Sequence, residues 1–184
     1  MTTEPSAKPA QSILLIGYRG SGKSTVGVAL AKKLGRPFFD TDQQIIHAQG
    51  QTIRAIFEQR GEPSFRDLET QTLQALVNGP PAVIACGGGI TLRPENQQLL
   101  RQIGTSIWLR APAEELFRRI NDDAISHDHR PPLTDHAGIA EVEHLLAVRE
   151  ATYAAAAAWT VDVAGRTVET IVEEITHWLG EQHL

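Results

Sequence analysis

The chain has 184 residues, 41% hydrophobic and 21% charged, with 17 Lys+Arg against 22 Asp+Glu and a formal net charge of −5. This length suits one domain of roughly 100–200 residues, and the apolar fraction excludes a disordered or collagen-like chain. The acidic balance argues against nucleic acid as partner, the single cysteine excludes a disulfide framework, and no apolar run approaches the ~18 residues that span a bilayer.

Residues 1–11 read as a disordered polar leader with no signal-peptide core, so a cytoplasmic protein with one domain over 12–184 is expected. Ser12–Ile16 is an apolar run ending at glycine, the pattern of a strand buried on both faces. A glycine-rich stretch, 17–22, leads into a helix over Thr25–Leu34, stopped by Gly35 and Pro37. Phe38-Phe39 is a second strand, closed by Asp40-Thr41-Asp42. Short helices near 43–49 and 52–59 each end at a glycine, and a longer helix covers Pro63–Val77. Ala82–Cys86 is a third strand, running into Gly87-Gly88-Gly89.

Pro94–Ile103 and Pro112–Ile120 read as helices around a fourth strand, Ser106–Leu109. Residues 121–137 carry no period and are long for a connection, as active-site lids often are. A long amphipathic helix over Ala137–Ala157, a fifth strand over Thr160–Val163 and a closing helix over Thr167–Leu179 complete the chain. Strands alternating with helices predict an α/β architecture, a five-stranded parallel sheet flanked by helices.

Gly17-Tyr-Arg-Gly-Ser-Gly22-Lys23-Ser24 matches G-x-x-x-x-G-K-[ST] between a strand and a helix. Such a loop turns backbone N–H groups towards a phosphate, with Gly20, Ser21, Gly22 and Thr25 around it. Lys23 supplies charge to the β- and γ-phosphates and the Ser24 hydroxyl is a Mg²⁺ ligand, so ATP and Mg²⁺ are the expected cofactors. The third strand ends without a carboxylate, unlike motor and switch ATPases, and no guanine-reading Asn-Lys-x-Asp run occurs. The acids sit after the second strand instead. Asp40 and Asp42, spaced i, i+2 on an extended end, would point apart, one towards the metal and one towards an acceptor hydroxyl. Simple helix capping is the plainer reading of the same residues.

Arg149 falls in the apolar row Ile139, Val142, Leu146, Arg149, Tyr153 and must meet an acid or await an anion. Arg66 lies between Phe65 and Leu68, where a surface pair with Glu69 is the plainer expectation. Two arginines are what bidentate capture of a small carboxylate requires. Arg130, followed by two prolines, could swing from the lid onto developing charge. His127, His129 and His136 suit a solvated loop better than a metal site, and Cys86 a small buried residue better than a nucleophile.

Together these residues resemble the shikimate kinases, a group of nucleoside-monophosphate-kinase-like P-loop enzymes, over about residues 12–180. The resemblance rests on Gly17–Thr25, Phe39–Asp42, Gly61–Glu69, Gly87–Gly89, Arg130-Pro-Pro-Leu-Thr and Arg149-Glu-Ala-Thr-Tyr153. It implies a three-layer P-loop kinase fold with a mobile lid over about 121–137. It also implies transfer of the ATP γ-phosphoryl to the 3-hydroxyl of shikimate, on the route to chorismate and the aromatic amino acids. In that pattern Asp40 would help hold Mg²⁺ beside Ser24, and Asp42 would bind the acceptor hydroxyl as candidate base. Arg66 and Arg149 would hold the carboxylate, Gly88 and Gly89 the ring, Arg130 the ATP phosphates, and Arg119 and Arg166 would border adenine. The rival readings are a gluconate or nucleoside-monophosphate kinase and a non-catalytic nucleotide-binding regulator; a monomer is the simplest expected state.

Overall fold

The computed structural model describes residues 11–122 and 138–182, so residues 1–10 of the leader, most of the expected lid, Arg130 and the three lid histidines lie outside the described residues. Five strands form one parallel sheet: β1 (Ser12–Ile16), β2 (Phe38–Asp40), β3 (Val83–Ala85), β4 (Gly104–Arg110) and β5 (Trp159–Asp162), in the order β2-β3-β1-β4-β5. β1 is central and wholly buried, which accounts for its unbroken apolar run. The strand order reverses beside it, so the loop after β1 opens at the switch point, where ligands of such sheets bind.

The helices are α1 (Lys23–Leu34), α2 (Thr41–Gln49), α3 (Ile53–Leu76), α4 (Pro94–Ile103), α5 (Ala113–Asp122), α6 (Ile139–Ala156) and α7 (Val168–Glu181), with a 3₁₀ turn over Ile90–Leu92. The two sheet faces feed separate clusters. One gathers Ile13, Leu15, Leu30, Ile107, Val161 and Ile175; the other gathers Leu14, Ile16, Leu73, Ile84, Leu100 and Tyr153. A third, smaller cluster of Ile45, Ile53, Ile56 and Phe65 joins α2 to α3.

One local reading is borne out and two are corrected. The stretches near 52–59 and Pro63–Val77 are two helical limbs, as expected, within the span of α3: Gly61 takes a positive φ (φ 76°, ψ 168°) and breaks the helical path just ahead of Pro63. On α6 Val142, Arg149 and Tyr153 are buried as the apolar row required, but Leu145 is buried rather than Leu146. At 3.6 residues per turn both leucines flank the row, and the helix rolls towards the one its neighbours cover. Asp42 does not continue an extended strand end: α2 starts at Thr41, so Asp42 lies in a first helical turn.

Candidate functional site

The phosphate loop leaves buried β1 and enters α1 through Gly22, whose φ of 88° is a left-handed conformation that side chains resist. Lys23 Nζ folds back over the loop, donating to the carbonyls of Gly17 at 2.9 Å and Tyr18 at 2.7 Å and more weakly to Ser21 Oγ at 3.4 Å. These contacts hold the ammonium over the loop's mouth, where a phosphate would lie.

Ser24 Oγ donates to Asp40 Oδ2 at 2.6 Å. The other oxygen of Asp40 accepts from the backbone N–H groups of Asp42 at 3.0 Å and Gln43 at 3.2 Å, capping α2. Capping and the expected metal role are therefore compatible, since one oxygen caps the helix and the other lies beside the Ser24 hydroxyl. A hydroxyl and a carboxylate side by side form the hard-oxygen set that Mg²⁺ prefers.

Gly20, Ser21, Gly22, Lys23, Ser24, Thr25, Asp40, Asp42 and Gly88 line one cleft of about 500 Å³, which Arg119 and Arg166 also border. Arg119 donates to Glu115 Oε1 and to the Val163 carbonyl, both at 2.9 Å. Arg166 donates to the Asp162 carbonyl at 3.0 Å and pairs with Glu174. Both guanidiniums are anchored at the cleft wall, so neither is simply a solvated helix-end charge.

Beyond Gly88 the cleft meets a buried polar group. Arg66 is 7% exposed; its Nη1 donates to Glu69 Oε2 at 2.7 Å, and its Nη2 to Glu62 Oε1 at 2.7 Å. The pair with Glu69 exists, but the surface expected for it does not: Glu69 is fully buried, because the second limb of α3 turns this face inward. Burial works against the charged Arg66, yet Glu69 and Glu62 hold its guanidinium above its ordinary value. Burial pushes the Glu69 carboxyl up, against the pull of Arg66 and Arg149.

Arg149, 5% exposed, donates from Nη1 to the Gly88 carbonyl at 3.3 Å, and Tyr153 Oη donates to the same carbonyl. The glycine run is what lets these groups approach. A methyl group at Gly87 would lie 2.7 Å from Asp42 Oδ1 and 2.8 Å from Glu69 Oε1; at Gly89 it would lie 2.2 Å from Arg66 Nη1. Asp42, Glu69, Arg66 and Arg149 thus surround Gly87–Gly89 at the carboxyl edge of β3. Cys86, just before, is buried, and burial pushes its thiol far up, which leaves it inert.

Sequence reasoning missed four participants. Tyr18 and Arg19 fill free positions of the phosphate-loop motif, Glu141 pairs with Arg19 at 3.7 Å, and Tyr153 is legible in sequence as the end of an apolar row and of the Arg149–Tyr153 motif, without a role of its own. Glu69 is legible only as an i, i+3 surface partner of Arg66. No group of three or more His, Cys, Asp or Glu able to hold a metal occurs among the described residues.

A cradle for phosphate, a carboxylate at the cleft floor and two buried arginines beyond it suit a kinase whose acceptor is a small anion. Comparison with known proteins agrees. The family model for shikimate kinase matches residues 19–180. A shikimate kinase from Paracidovorax citrulli is 41% identical over 91% of each chain, and one from Enterococcus faecalis is 39% identical over 93% of this chain and 99% of that one. The solved shikimate kinase from Acinetobacter baumannii, in complex with shikimate, superposes with a TM-score of 0.88 at 32% identity, covering 95% of this chain and 96% of that one. By sequence over nearly its whole length, and by fold, the chain belongs to the shikimate kinase family.

Proposed function

We propose that the protein transfers the γ-phosphoryl of ATP to the 3-hydroxyl of shikimate, yielding 3-phosphoshikimate and ADP, a step towards chorismate and the aromatic amino acids. The observation that carries this reading is the meeting of Arg66, Arg149 and Asp42 around Gly87–Gly89, at the far end of the cleft that the phosphate loop opens. Two guanidiniums suit one carboxylate, and a neighbouring carboxylate suits the hydroxyl that attacks. Gluconate also carries a carboxylate, but the family that this chain belongs to favours shikimate.

In the reaction the acceptor oxygen forms a bond to the γ-phosphorus while the bond from phosphorus to the β,γ-bridging oxygen breaks. Asp42 orients the hydroxyl and accepts its proton. Lys23 follows the phosphate charge from donor to acceptor. Ser24 and Asp40 would hold Mg²⁺, which when bound neutralises charge on the ATP phosphates. Arg119 and Arg166 would flank the adenine, the backbone of Gly88 and Gly89 would face the ring, and Arg130, outside the described residues, would reach the phosphates from a lid over about 121–137. All these residues belong to one chain, which supports a monomer with a single domain over 12–184. No described helix is long and apolar enough to cross a membrane; the need for ATP supports a cytoplasmic location.

ADP release from MgATP with shikimate, gluconate, AMP or no acceptor tests the reading. Release only with shikimate is expected. Release independent of acceptor, or none with shikimate, overturns it.

A further inference from the structure

Arg66 and Arg149 differ in what holds them. Arg66 commits three of its five N–H donors to two carboxylates, Glu62 and Glu69, and keeps two for an acceptor. Among the described residues the Arg149 side chain makes one long hydrogen bond, to the Gly88 carbonyl, and its Cζ stands 5.5 Å from the centroid of the Tyr18 ring. A ring face attracts a guanidinium through its quadrupole and uses none of the N–H donors, whereas a carboxylate partner would occupy the fork. Tyr18 is 1% exposed and belongs to the core cluster containing Val142 and Leu145 of α6, so the ring is packed and cannot swing away. Tyr18 also lies inside the phosphate loop, and its carbonyl accepts from Lys23.

We propose that Tyr18 is a positioning residue for Arg149: its ring, supplied by the phosphate loop, holds the guanidinium in place while leaving its donors open to the acceptor's carboxylate. This rests on the reading of Arg149 as an acceptor ligand given above. It also assigns a task to a position that the phosphate-loop motif leaves unspecified. The ring ties the acceptor site to the donor loop, so a change at Tyr18 acts on Arg149 and, through it, on the acceptor. Arg19, whose Cζ is 5.9 Å from the same ring, is drawn towards Glu141 instead.

Kinetics of the full chain carrying Tyr18→Leu or Tyr18→Phe test this. Without a ring, KM for shikimate rises about tenfold, while kcat and KM for ATP stay within about twofold. Tyr18→Phe, which keeps the ring, restores the wild-type KM. An unchanged KM for shikimate in Tyr18→Leu, an equal rise in both KM values, or a phenylalanine variant as impaired as the leucine one overturns the proposal. Should Tyr18→Leu fail to fold, Tyr18→Met takes its place. A double-mutant cycle of Tyr18→Leu with Arg149→Met, read by urea unfolding without substrate, decides the contact independently of the reaction. Coupling of about fivefold or more in the unfolding constant supports it, and additivity overturns it. Wild-type protein that releases no ADP with shikimate would remove the functional reading alone, and the cycle would still settle whether the ring holds Arg149.

Discussion

At Gly89 the site has room for a hydrogen and nothing more. A methyl there would lie 2.2 Å from Arg66 Nη1, the tip of a flexible side chain, so the guanidinium must move while the fold survives. Gly89→Ala is therefore expected to raise KM for shikimate about tenfold or more and to leave KM for ATP near wild type, since a misplaced bidentate contact costs about 1.5–3 kcal/mol. Equal effects on both substrates would show that Gly89 serves the loop and not Arg66. Glu69, on the other side of Arg66, gives a pH signature. Burial raises its folded value above the ordinary 4.5, so on raising the pH the unfolded chain releases this proton first. Stability from this group falls as pH rises from about 4.5 through the raised folded value, and then levels off. Glu69→Gln lacks that titration. Urea midpoints of the two proteins from pH 4.5 towards neutrality should therefore shift in favour of the glutamine variant; the opposite trend would mean that the pair with Arg66 outweighs burial.

At the level of elements, α2 begins at a side chain whose two oxygens have separate partners, which lets the proposed metal role of Asp40 be tested apart from its cap. Asp40 Oδ1 caps the helix, and Oδ2 meets Ser24. Asp40→Asn keeps an acceptor for the cap and loses the charge, so it should remain within about 0.5 kcal/mol of wild type yet need more Mg²⁺ for half-maximal rate. Asp40→Ala should lose about 1 kcal/mol as well. Thermal or urea unfolding, together with a Mg²⁺ titration of the rate, separates the two contributions. If Asn and Ala are equally destabilised, the cap is not what Asp40 supplies. This element also marks where sequence stops informing. Strand type and order along β1 to β5, and the odd place of Arg149 on α6, follow from apolar periodicity, which is a property of one element at a time. The start of α2 at Thr41 is decided by a cap, and the inward face of Arg66 and Glu69 by the bend at Gly61. The ring of Tyr18 under Arg149 joins residues from a loop and a distant helix, and no spacing within either predicts it.

Across the molecule, the net charge of −5 coexists with a cleft where Lys23, Arg119 and Arg166 line the walls and Arg66 and Arg149 lie beyond Gly88. The parallel sheet brings this about: its strand ends deliver the phosphate loop, Asp40, the glycine run and the arginine-bearing connections to one edge. Ligands that bridge this edge bind only the folded chain, so each should raise its melting temperature by linkage. At a concentration about 100 times Kd the gain is about 2.7 kcal/mol, or about 5–10 °C for a domain of this size. Arg149→Ala separates the two ends of the cleft. Shikimate should lose most of its shift in that variant, whereas MgADP keeps the shift it gives wild type, because Arg149 meets the phosphate loop at the Tyr18 ring and not at the backbone N–H groups that face phosphate. Loss of both shifts together would mean that Arg149 supports the whole edge and is not a ligand of the acceptor end.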